Sequence, residues 1–128
     1  MSLTVPSDLL EQAQRGKIDD TAFLACIRDS LPFAWSLVSD LARRREATGA
    51  EFVDNLVAPP DEAAYGQLFR ALASTSIREA LENHFGVRLA FQNCHRVAVF
   101  DPAADKAYAE FTSPEAQILN QTPELVNC

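Results

Sequence analysis

Apolar residues recur at spacings of three and four along most of the chain, and alternate with polar residues over one stretch only. The first spacing puts side chains on one face of a helix, the second on one face of a strand. Leu9, Leu10 and Ala13 predict a short helix from Asp8, with Ser7 as its cap and Gly16 as its stop. Asp19 and Asp20 open the next, whose inward members are Phe23, Cys26, Ile27 and Leu31. Pro32 lacks an amide proton and suits a first turn, so a separate helix is expected from about Pro32 to Ala47. It carries Ala34, Leu37, Val38 and Leu41 inward, Trp35 at the border, and closes at Gly49. Pro59-Pro60-Asp61 announces a helix through Tyr65, Leu68, Phe69 and Leu72. Ser74-Thr75-Ser76 then marks a kink or a fresh start, Ser76 and Glu79 matching a capping box. Ile77, Ala80, Leu81 and Phe85 follow before Gly86.

From Gly86 to Asp101 the period changes. Val87, Leu89 and Phe91 alternate with Arg88, Ala90 and Gln92; Val97 and Val99 alternate with Arg96, Ala98 and Phe100. Two such runs around Asn93-Cys94 predict an antiparallel hairpin at about 87–100. Asn tolerates positive φ and can lead a primed turn, whereas Cys is a poor second residue, which allows a longer loop. A lone hairpin is marginal in water, so it requires cover from helices or a third strand. The candidates for that strand are the apolar segment around Phe52 and Val53, the tail, or another subunit. Ala103 to Phe111 reads as a short helix, and Ser113-Pro114-Glu115 as a helix start. Leu125 and Val126 are expected to anchor a tail without period. The fold class is therefore mainly α (α+β), one domain over 1–128, a bundle of about five short helices with one antiparallel hairpin.

Charge and composition narrow the function. The net charge of −7 sets the average field against phosphate backbones, so no nucleic acid is expected as partner. All but Lys17 and Lys106 of the eleven basic residues are Arg, and the densest group, Arg43 to Arg45, reads as a solvated helix end. No run reaches the roughly 20 apolar residues of a membrane span, so no membrane partner is expected. Three cysteines, an odd number, argue against a disulfide framework and for a reducing, cytoplasmic compartment.

Cys94 and His95, side by side, are the most suggestive chemistry. A thiolate beside an imidazole serves as a nucleophile, a redox thiol or a pair of metal ligands. On a strand the two side chains would point to opposite faces, so they share a centre only within the loop. A zinc site would have to recruit distant Cys26, His84 or Cys128, so neither metal nor cofactor is assigned. Arg96 and Arg88 complete the candidate ligand-binding set with Cys94 and His95.

Three stretches, Ala22 to Trp35, Glu82 to Phe100 and Leu119 to Cys128, together resemble a family of small proteins from Streptomyces and related actinomycetes. The resemblance spans nearly the whole chain. It implies a bacterial, cytosolic setting and supplies no catalytic residue, cofactor or fold. The expected function is thus a non-catalytic protein-interaction or regulatory module, with self-association as one way to cover the hairpin. The alternative is a small enzyme or ligand- or metal-binding protein with its site around Cys94, His95 and Arg96.

Overall fold

The computed structural model describes residues 2–122 and 124. Seven helices and a three-stranded antiparallel sheet are seen among them, mostly helical as the periodicity predicts. In chain order they are α1 (Ser7–Gln14), α2 (Asp20–Ser30), α3 (Pro32–Thr48), β1 (Phe52–Asp54), α4 (Glu62–Leu72), α5 (Thr75–Phe85), β2 (Arg88–Gln92), β3 (Arg96–Phe100), α6 (Asp105–Phe111) and α7 (Pro114–Leu119). The expectation for Leu125 and Val126 falls outside the described residues.

Helix ends follow local chemistry in most places. Asp19, Asp61 and Ser113 occupy N-cap positions, where their side chains accept from the amides of Ala22, Ala64 and Ala116. Gly49 and Gly86 terminate α3 and α5 at φ 68° and 65°, the left-handed region that costs glycine least. Two caps differ from expectation. Pro6 holds the N-cap of α1 and Ser7 is already helical. The capping box at Ser76 is not used, because the N-cap of α5 is Ser74, two residues earlier. Helix α3 has Leu31 at its N-cap, which carries no polar side chain; Gln67 of α4 supplies the acceptor, its Oε1 lying 2.6 and 3.2 Å from the amides of Phe33 and Ala34.

The sheet order is β1-β3-β2. The third strand comes from the segment after Gly49: Phe52, Val53 and Asp54 pair with Phe100, Val99 and Ala98. Further bonds from Asn55 N–H to the Val97 carbonyl and from Asp101 N–H to the Glu51 carbonyl, both 2.9 Å, extend the pairing at each end.

Both faces of the sheet are covered. Val53, Leu89, Phe91, Val97 and Val99 pack with Val38, Leu41, Leu68, Leu72, Ile77 and Leu81 in the main core. Each fully buried aliphatic or aromatic side chain there contributes about 1.5–3 kcal/mol relative to exposure. The opposite face carries a second, smaller core of Ala90, Ala98, Phe100 and Phe111, with Ala107 and Tyr108 against it. Phe100 stacks on Phe52 at 5.0 Å and meets Tyr108 and Phe111 edge-on at 5.3 and 5.5 Å. The small side chains of Ala90 and Ala98 let α6 approach, while Phe100 gives it an apolar surface to sit on. The unit from β1 to α6 thus runs β-α-α-β-β-α, with α4 and α5 on one side of the sheet and α6 on the other.

Candidate functional site

The hairpin loop is three residues long, Asn93 to His95, with Gln92 opposite Arg96. Asn93 and Cys94 both hold positive φ, 52° and 61°, in a loop one residue longer than a two-residue primed turn. Cys94 is disulfide-bonded, so it offers no thiolate. The odd count of cysteines did not preclude a bridge, since buried Cys26 is the free one among those described. His95 is completely buried. Its Nδ1 faces the Asn93 carbonyl, which can only accept, so that nitrogen carries the proton. Adjacent in sequence, Cys94 and His95 therefore supply neither a free nucleophile nor an exposed base.

Polar contacts clip this loop to the last two helices. Gln92 Nε2 donates to the Phe111 carbonyl, and Gln117 Nε2 to Asn93 Oδ1 at 2.5 Å. Among the described residues, Gln92 Oε1, Asn93 Nδ2 and His95 Nε2 are buried with no hydrogen-bond partner.

Arg96 and Arg88 do not join Cys94 and His95. Arg96 spends its guanidinium on Asp54 of β1, with Nε and Nη2 at 2.8 and 2.5 Å from Oδ2. Both side chains are largely buried, and the Arg96 guanidinium also lies 5.5 Å from the Phe111 ring centre. Arg88 stands at the far end of the hairpin, four residues along β2 from Gln92, or about 13 Å at the strand rise. It covers the Tyr108 ring at 3.5 Å and pairs with Asp105, also at 3.5 Å. The four candidates are thus spread along the hairpin rather than gathered in a pocket.

A different place gathers arginine and aromatic side chains beside a strand edge. Odd-numbered residues of β3 bond to β1 and even-numbered ones to β2, so Leu89 and Phe91 turn their backbone groups away from β3. The Leu89 amide meets Glu82 Oε2 of α5 at 2.8 Å, and Phe91 faces the same way two residues on. A groove of about 340 Å³ runs along this open edge, with β2 as its floor, Leu72, Ala73 and Arg78 as one wall, and Tyr108 and Thr112 as the other. At Ala73 it adjoins a second cleft, lined by Gly66, Phe69, Arg70 and Ser74. Phe69 is 45% exposed and meets Phe91 edge-on at 5.4 Å. The guanidinium of Arg78 is steadied by the Leu72 carbonyl at 3.4 Å.

Sequence reasoning missed this groove because its parts come from α4, α5, β2 and α6, and no spacing links them. The one available signal was the pairing of arginines with aromatics at 69–70, 78, 88, 91 and 108.

Two other features carry less. A cleft of about 410 Å³ between α2 and α5 has Ile18, Phe23 and Leu24 on its apolar side, and Asp20, Glu79 and His84 on its polar side. The Arg43–Arg45 cluster is dispersed: Arg43 pairs with Asp40, while Arg45 turns inward to the Ala50 carbonyl at 3.1 Å and to Asp101 at 3.6 Å. Among the described residues no group of three His, Cys, Asp or Glu could hold a metal ion, and no helix is long and apolar enough to cross a membrane.

Residues 1–128 match a family model described as "NucS shadow ORF", whose label begins with KH. Comparisons with curated proteins and with solved structures found no match.

Proposed function

We propose that this chain, which belongs to the NucS shadow ORF family, is a non-catalytic binding module that docks a protein partner in the groove along the open edge of β2. The family description names a reading frame and no activity, so the reading rests on the chain's own geometry. The observation that carries it is a strand edge open at Phe91, flanked by the exposed Phe69 ring and the half-buried Arg70 and Arg78. Strand edges are templates for pairing, and addition of an extended segment to one is a recurring mode of peptide recognition. Self-association through the same edge belongs to this reading. A cytoplasmic setting belongs to it as well, although the disulfide at Cys94 weighs against a strongly reducing compartment.

The test begins with detection of the chain's peptides in cells that carry the gene. Affinity capture then compares the native chain with Ala73→Trp, which fills the groove from an exposed position and spares the core. A partner captured by the native chain and lost with Ala73→Trp supports the reading. An identical set of captured proteins from both, or none from either, sinks it. Light scattering after size exclusion addresses self-association: a strictly monomeric mass from micromolar to millimolar concentration removes that part.

The KH label favours a second reading, single-stranded nucleic acid. KH modules clamp four backbone nucleotides with a GXXG loop. The four glycines here stand at 16, 49, 66 and 86, so no two are three apart and that loop is missing. With a net charge of −7, this reading takes second place.

A further inference from the structure

We infer, resting on the groove reading above, that the occupant is an acidic, extended peptide segment added antiparallel or parallel to β2 as a fourth strand. Three observations support it. The edge supplies strand-type hydrogen bonding at Phe91, with the Leu89 amide already directed outward to a carboxylate, Glu82 Oε2. That contact already satisfies the Leu89 amide at 2.8 Å, so the position left for an added strand to pair with is Phe91. The charge is locally inverted, since the residues lining the groove and its adjoining cleft include Arg78 and Arg70 and no Asp or Glu, in a chain of net charge −7. Finally, the two walls differ. A strand's side chains alternate, so every second residue of the occupant would face Arg78 while the others meet the Tyr108 ring. The pattern expected is acidic at alternate positions and apolar or aromatic between them. Arginine suits this role because its planar fork meets a carboxylate through two parallel donors.

The experiment is selection from a phage-displayed library of random eight-residue peptides against the full chain, followed by amide chemical-shift mapping with the most enriched peptide. The expected result is enrichment of Asp or Glu at alternate positions, with shifts concentrated at Leu89 to Gln92, Ala73 and Arg78. Arg78→Glu should then weaken binding by about tenfold or more, the loss of one charge-assisted hydrogen bond and its sign. Arg78→Lys, which keeps the charge but loses the two parallel donors, should weaken binding measurably but less than Arg78→Glu. N-methylation of alternate peptide amides should abolish binding in one phase and leave it in the other, as strand addition requires. Enrichment of basic or neutral peptides that map to the groove would overturn the acidic partner and leave the docking reading standing. Failure to enrich any peptide mapping to the groove would overturn the inference. If an eight-nucleotide oligouridine shifts the groove amides where no peptide does, both readings fall and the nucleic-acid one replaces them.

Discussion

The ion pair between Arg96 and Asp54 lends itself to a direct measurement, because it joins β3 to the short β1 strand from inside the fold. Arg96 and Asp54 side chains are 14% and 18% exposed, and two guanidinium nitrogens converge on one carboxylate oxygen at 2.8 and 2.5 Å. Replacing Asp54 with Asn keeps the shape and an acceptor oxygen but removes the charge. Arg96 then stays in place with its cation uncompensated. Removing one member of a fully buried pair costs about 3–5 kcal/mol; residual exposure lowers this to about 2–3 kcal/mol here. For a domain whose stability lies at about 5–15 kcal/mol, that is a large share. The melting temperature should fall by roughly 6–10 °C at this chain length. Urea unfolding followed by circular dichroism and by Trp35 fluorescence reads the change. The double variant Asp54→Leu with Arg96→Met should recover most of the loss, since two apolar side chains leave no buried charge behind. If Asp54→Asn lies within about 0.5 kcal/mol of the native chain, the pair is solvated and the reasoning fails. It fails equally if the double variant is as unstable as the single one, because the loss would then come from packing alone.

Other outcomes follow from single residues. Gly86→Ala should cost about 1 kcal/mol, all of it from the backbone, because φ is +65° and an added Cβ meets nothing within 4 Å; a neutral result in the same urea experiment would contradict the left-handed cap. Cys94 should resist iodoacetamide even in denaturant and become labelled only after reduction, since its sulfur is already bonded; peptide mass spectrometry that finds it alkylated without reductant would restore the free-thiol reading.

Much of the architecture was legible in one dimension. Helix starts at Asp19, Asp61 and Ser113 and ends at Gly49 and Gly86 rest on contacts within a few residues, so local pattern sufficed. The hairpin was equally plain, because a period of two belongs to strands alone and Asn93 accepts the positive φ that the turn demands. The chemistry proposed for its tip was not decided that way. Adjacency placed Cys94 beside His95, but the ring is buried, Cys94 is held in a disulfide, and the Asp54 partner of Arg96 lies more than forty residues away in the chain.

What the sequence by itself determined, then, was where each element begins, ends and turns an apolar face. The tertiary structure decided that β1 joins the sheet across more than forty residues, that Gln67 caps a helix whose own cap residue is apolar, and that Phe100 founds a second core under α6. It also decided where the groove lies. Periodicity reports which side of an element avoids water, a property of neighbours three or four residues apart. Which element fills that side, and which strand edge is left open, is settled by packing among segments whose separation along the chain carries no such signal.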